Sequence, residues 1–183
     1  MKVGIVGAGS IAFGMAAFLE HEGHAATLWS PSGERTKALS TGEPLVAAGA
    51  IEGTFRPAVA SSAEALVAGA EVILIALPAY GHKHVFDRIA PHITSAQTVI
   101  VSSHASFGAL YLSRLLAARR VAVPIVAWGT TLVSGRQTGL AKVQVNTVRK
   151  SVDLATLPAS RSAEGLALCQ TLFGDRFVDR QSL

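Results

Sequence analysis

Apolar runs alternate with stretches of helical apolar spacing along the first two-thirds of the chain. Val3–Val6 is a short, mostly apolar run and predicts a buried strand, after which Gly7–Gly9 predicts a turn. Ile11, Met15, Phe18 and Leu19 recur at helical spacing within Ser10–Glu22, and Gly23 marks the end of that helix. Ala25–Trp29 predicts a second strand and Glu34–Leu39 a short helix. Thr41–Arg56 is Gly-rich and predicts no definite element, while Val59–Ser61 predicts a third short strand. Ser61-Ser62-Ala63-Glu64 has capping-box spacing and opens a helix to Ala68.

Val72–Leu77, "VILIAL", is apolar at every position, as a central strand covered on both faces must be, and Pro78 closes it. Tyr80–Ile93 then predicts a helix, Thr98–Ser102 a strand, Phe107–Arg119 a helix and Ile125–Trp128 a strand. Strand–helix alternation of this kind implies an α/β fold: a Rossmann-like, doubly wound, mostly parallel sheet. After Trp128 the rhythm changes. "AKVQVNTVRK" and "SVDLATLPA" alternate polar and apolar residues and lie close together, which predicts an antiparallel hairpin added at the sheet edge. A helix in "SRSAEGLALCQTLFG" and a strand in "RFVDR" complete a single domain over residues 1–183.

Composition supports the two-sided core. Half of the 183 residues are hydrophobic, 6% are aromatic and 15% are charged, so the chain can bury a large core and is not a disordered one. The formal net charge is +4, but its Lys and Arg residues are scattered, which favours a small anionic ligand over nucleic acid. The single cysteine, Cys169, excludes an internal disulfide framework and is expected to be a buried helix residue. No apolar run approaches the roughly 20 residues of a membrane span, and no signal peptide leads the chain, so no membrane partner and a cytoplasmic location are expected.

Candidate chemistry starts at the first turn. Gly7-Ala8-Gly9-Ser10-Ile11-Ala12 fits G-x-G-x-x-A directly after a strand and at the start of a helix. Gly7 would permit the tight turn, Gly9 the approach of a pyrophosphate, and Ala12 close helix–strand packing. The amides of Ser10, Ile11 and Ala12, with the helix dipole, favour an anion. At the end of the second strand such units generally carry a carboxylate for the adenosine ribose. Here the loop offers Ser30, Ser32, Arg35 and Lys37, with Glu34 its only acid, which predicts a 2′-phosphate pocket and therefore NADP over NAD.

Leu77, Pro78 and Ala79 end the central strand, at the carboxyl edge where ligands bind in such sheets, and are expected to line the nicotinamide-ribose region with His82. His82 and His84 would point about 200 degrees apart on a helix and cannot share a metal, so no metal site is expected. Ser102 and Ser103 follow the next strand and should face the same cleft as cofactor or substrate contacts. The neighbouring His104 does not make a hydrolase, because no G-x-S-x-G elbow surrounds the serines.

The segments "VGAGSIAFGMAAFL", "VILIALPAYGHKHVFDRIAPHI", "VIVSSHASFGALYLSRLL", "GTTLVSGR" and "VQVNTVRKSVDLATLPA" together resemble the N-terminal domain of the NAD/NADP octopine/nopaline (opine) dehydrogenase family. The resemblance implies an oxidoreductase that joins an amino acid to a 2-oxo acid through an imine reduced by NAD(P)H. It also implies a C-terminal helical domain, absent from these 183 residues, that bears the acid/base residue and most substrate contacts. The catalytic residues are therefore not among those named above, and His82, His84 and His104 are only local candidates. Self-association through a face which that domain would cover, as in a homodimer, is expected. Many family members carry Asn-Pro-Gly where this chain has Ser102-Ser103-His104. Two alternatives remain: a ketopantoate reductase-like 2-oxo acid reductase fragment, and a non-catalytic NADP-binding module.

Overall fold

A computed structural model describes residues 1–103 and 107–180. Among the described residues twelve strands form two sheets, of eight and four strands. In the larger sheet β8 (Ile125–Trp128), β7 (Thr98–Val101), β6 (Val72–Ile75), β1 (Lys2–Val6), β2 (Ala25–Trp29) and β5 (Ala58–Val59) lie side by side and parallel. β11 (Val152–Leu157) continues the sheet antiparallel to β8, and β12 (Phe177–Asp179) runs parallel to β11.

The strand sequences explain the layering. Successive side chains point to opposite faces. Val72 and Leu74 join one apolar cluster with α1 (Ser10–His21) and α6 (Ser162–Phe173). Ile73 and Ile75 join the other, with α3 (Ala63–Ala68), α4 (His82–Ile89) and α5 (Gly108–Ala118). "VILI" has no polar position because neither face meets water.

The smaller sheet has the order β4 (Gly53–Phe55), β3 (Leu45–Gly49), β10 (Lys142–Val148), β9 (Val133–Gly139) and packs on α1. Every residue of α1 from Ala12 to Leu19 is buried, as a helix caught between two sheets requires. Contact is close: a Cβ added to Gly14 would lie 3.1 Å from Val133 Cγ2. This sheet corrects the expected edge hairpin. Ala141–Lys150 supplies β10, whose antiparallel partner is β9, while Ser151–Ala159 supplies β11 in the other sheet. β9, "VSGRQTG", is predicted as no element by the sequence, and only Val133 within it is fully buried. The Gly-rich Thr41–Arg56 forms β3 and β4, where Gly53 takes a φ of +156° that other residues rarely adopt.

Smaller differences concern helix ends. Ser62, not Ser61, caps α3, its Oγ accepting from the Ala65 amide at 3.0 Å. α4 begins only at His82, after a single 3₁₀ turn over Ala79–Gly81. Cys169 is buried on α6 as expected, and burial pushes its thiol pKa up to about 12.

Candidate functional site

The first turn is tied to the strands on either side of β1. The Gly7 amide donates to Trp29 O at 2.8 Å, and the Ala76 amide to Val6 O at 2.9 Å. Gly7 has φ +140°, and a Cβ there would stand 2.4 Å from Ala76 O, so no other residue fits without moving backbone. Gly9 differs: a Cβ added to it meets nothing within 4 Å. Gly9 is the N-cap of α1, with no side-chain cap hydrogen bond. The first intrahelical bond runs from Phe13 N to Gly9 O at 3.0 Å, so the amides of Ser10, Ile11 and Ala12 precede it.

These groups floor a cleft of about 860 Å³ at the carboxyl edge of the parallel strands. The sequence-predicted Gly7, Gly9, Ser10, Ile11, Ser30, Ser32, Arg35, Leu77, Pro78, Ala79, Ser102 and Ser103 all line it. Ala12 does not; it is fully buried beneath, and its Cβ would lie 3.4 Å from a Cβ on Gly7, the close packing expected of it. The β2 loop turns at Gly33, φ +70°, whose amide donates to Ser30 O at 3.1 Å. Ser32 and Arg35 are exposed on this loop. The Ser30 Oγ is buried with no hydrogen-bond partner. None of the described residues lining the cleft is acidic.

Two further predicted residues, besides Ala12, are not brought to the cleft. Lys37, the first residue of α2 (Lys37–Ser40), is exposed and is not among the residues that line the cleft. His82 is 4% exposed and belongs to the α4–α5 interface. Its Nε2 donates to Leu77 O at 3.2 Å, since a carbonyl only accepts, and its ring lies 5.2 Å from that of Phe86. Burial lowers its pKa, against a smaller opposing effect of the Leu77 bond. His82 lines a separate cavity of about 400 Å³ with Phe107, Leu110 and Tyr111, and Ala79 borders both. His84 is exposed on α4, and His104 lies outside the described residues.

Sequence reasoning missed one wall. Thr131, Gly135, Arg136 and Gln137 line the cleft from β9 and the segment before it. Gln137 Nε2 donates to Ala8 O at 3.4 Å, which sets β9 beside the glycine turn. The available signal was "GTTLVSGR", which carried family resemblance but no strand pattern. No helix among the described residues is long and apolar enough to cross a membrane.

A parallel sheet with helices on both faces, a G-x-G-x-x-A turn and a cleft at its carboxyl edge define a Rossmann-type dinucleotide-fold domain. The chain belongs to the ketopantoate reductase PanE/ApbA family, whose model matches residues 3–150. It is also similar to the opine dehydrogenase of Arthrobacter sp. (strain 1C), 30% identical over 167 residues, covering 88% of this chain and 46% of that protein. Among solved structures, octopine dehydrogenase with NADH and pyruvate shares the fold at a TM-score of 0.84 and 18% identity, over 98% of this chain and 49% of that one. NADP⁺-bound yersinopine dehydrogenase does so at a TM-score of 0.75 and 19% identity, over 97% of this chain and 46% of that one. The chain thus spans about half the length of these relatives. Both likenesses read from the sequence, to opine dehydrogenases and to ketopantoate reductases, hold.

Proposed function

We propose that this chain is the NADP(H)-binding domain of an opine dehydrogenase-like oxidoreductase, which reductively joins an amino acid to a 2-oxo acid or runs the reverse oxidation. One observation carries the reading: an uncapped helix N-terminus opens into a cleft whose ribose end offers Ser30, Ser32 and Arg35 and no carboxylate. A dinucleotide fits these residues. Gly9 leaves room for the diphosphate, the amides of Ser10 and Ile11 meet its charge, and the partnerless Ser30 Oγ gains an acceptor or donor. Relatives carry NADH in one case and NADP⁺ in another, so the choice falls to this chain's own loop. Arg35 attracts a 2′-phosphate, and the missing carboxylate removes the repulsion that would reject it. Leu77, Pro78 and Ala79 offer an apolar bed for the nicotinamide end, with Ser102 and Ser103 beside it.

The bound cofactor supplies hydride. The Ser102 amide N–H donates to Ile75 O at 3.1 Å, which holds this residue, and the apolar Leu77–Ala79 side excludes water from the nicotinamide end. We infer that acid/base catalysis and most substrate contacts lie in the part of the longer relatives that this chain does not span. Tyr80, Phe107 and Leu110, which are 91%, 79% and 50% exposed, suit coverage by such a part or by a second copy.

A second reading, a 2-oxo acid reductase of the ketopantoate reductase kind, draws on the family match over residues 3–150. The test is NADPH oxidation by this chain beside the full-length gene product, with mixed amino acids plus pyruvate, 2-oxoglutarate or glyoxylate, and with ketopantoate alone. The proposal expects turnover by the long form only, and only when both an amino acid and an oxo acid are present. Turnover with ketopantoate alone would select the second reading. Turnover by the 183-residue chain would place catalysis here. NADPH binding without turnover by either form would leave a non-catalytic binding module.

A further inference from the structure

The cavity between α4 and α5 has no part in the dinucleotide reading. It encloses about 400 Å³ beside the cleft, with His82 and Gly108 at its buried end and Phe107, Leu110 and Arg114 as exposed walls. The buried end holds an acceptor without a donor. His82 Nε2 donates to Leu77 O, which leaves Nδ1 of the neutral ring as an acceptor. That Nδ1 is buried with no hydrogen-bond partner, and it lies against Gly108, where a Cβ would come within 2.5 Å of it. Burial favours the neutral ring. Gly108 is also the first residue of α5, an 11-residue helix with no side-chain cap and no acid in its first turn. Its leading amides are donors that the helix itself does not use. Charge around the cavity is unevenly committed. Lys83 Nζ donates to Asp87 Oδ2 at 2.7 Å and Tyr111 OH to Asp87 Oδ1 at 2.5 Å, so these three groups satisfy one another. Arg114 lines the cavity and makes no ion pair among the described residues. Helical side chains lean towards the N-terminus, so Arg114 reaches back over Leu110 and Tyr111, towards the head of α5.

We propose that this cavity binds an α-amino acid with an apolar side chain, at a site separate from the dinucleotide cleft. The ligand's ammonium group donates to His82 Nδ1, its carboxylate meets Arg114 and the leading α5 amides, and its side chain lies on Phe107 and Leu110. Each part of the cavity selects one part of that ligand. A carboxylate without an amine offers the buried Nδ1 no N–H and leaves it unpaired. An amine without a carboxylate leaves the guanidinium unused. A second carboxylate finds no free cation, because Lys83 is already held by Asp87. The claim is independent of what the cleft binds.

Calorimetric titration of the 183-residue chain with L-leucine, 4-methyl-2-oxopentanoate and isoamylamine takes the ligand apart. The second keeps the carboxylate and side chain, the third the ammonium and side chain. L-Leucine is expected to bind about tenfold or more tightly than either, since each lacks one charge-assisted hydrogen bond. Arg114→Gln, at an exposed position, should weaken leucine about tenfold or more while leaving isoamylamine, NADPH affinity and the melt unchanged. His82→Phe keeps a ring and removes the acceptor, so leucine should fall to the level of 4-methyl-2-oxopentanoate. Should His82→Phe not fold, the analogue series and Arg114→Gln decide the question unaided. No leucine binding, or equal affinity for the three ligands, would overturn the proposal. Glutamate bound as tightly as leucine would overturn its apolar selectivity. Loss of NADPH affinity together with leucine affinity in Arg114→Gln would overturn the separation of the two sites. NADPH binding by a chain that ignores leucine would sink this site and leave the dinucleotide reading standing.

Discussion

Two turns at the same edge of the sheet meet opposite fates. Gly7–Gly9 follows β1 and leads into α1; Pro78–Gly81 follows the neighbouring β6 and leads into α4. At the first, the helix N-terminus lacks a side-chain cap and a Cβ on Gly9 would point into empty space. At the second, a Cβ on Gly81 would lie 2.5 Å from Leu77 Cδ1, and His82 fills the head of the helix. Gly108 of α5 presses on that ring, since a Cβ there would stand 2.5 Å from His82 Nδ1. Topology makes both turns available to a ligand. Side-chain volume then leaves the first open, while at the second Leu77 and His82 take up the space and Leu77, Pro78, Ala79 and Tyr80 line the cleft.

The largest way to break this contrast is to fill Gly7. Gly7→Ala combines a forbidden φ with a backbone collision, which costs on the order of 3 kcal/mol. A melting temperature about 6–12 °C lower follows for a chain of this size, read by circular dichroism. Gly9→Val should leave the melt nearly in place yet reduce NADPH affinity more than about a hundredfold, or 2.7 kcal/mol. A Gly9→Val protein that binds normally would show that the open space is not the ligand's path.

At the second turn the same kind of change should act on stability and not on NADPH affinity. Gly108→Ala is expected to cost about 1–3 kcal/mol by overpacking against His82. In a His82→Ala background the cost should fall, since the facing ring is gone. Additive losses in that double-mutant cycle would mean the two do not touch. A smaller effect is in pH. His82 is lowered from the ordinary value of 6.5, chiefly by burial, so the unfolded chain takes up its proton first. Its contribution to stability is intact above pH 6.5 and is lost as pH falls through that value. Melting at pH 7.5 and 5.5 should show a fall that His82→Gln partly removes; an unchanged fall would assign it to other groups.

The legible wall of the cleft is the one whose residues are consecutive. The G-x-G-x-x-A turn, the serine–arginine loop and the "VILIAL" strand announce themselves by local pattern, and all reach the cleft except Lys37, Ala12 and His82. Lys37 opens α2, past the 3₁₀ turn over Glu34–Thr36, and is not among the cleft's lining residues. The sequence places His82 in the nicotinamide-ribose region, but Gly108, 26 positions onward, admits it to an interface. Gly135 to Gln137 could not be read, since β9 owes its strand form to partners in β10 and α1 rather than to its own apolar residues. The predicted edge hairpin failed for a related reason: β10 and β11 have similar alternation, and only α1 and β8 decide which sheet each joins.

Cofactor selectivity is set, in this proposal, at the β2 loop. Fluorescence titration of the chain with NADPH and NADH, repeated on Arg35→Ala and Ser30→Asp, addresses it directly. NADPH should bind more tightly than NADH to the unaltered chain. Arg35→Ala should weaken NADPH about ten- to a hundredfold while sparing NADH. Ser30→Asp should reverse the preference, because its carboxylate repels the 2′-phosphate and accepts from a ribose hydroxyl. Equal affinities for the two cofactors, moved equally by both substitutions, would contradict the claim that Ser30 and Arg35 read a 2′-phosphate.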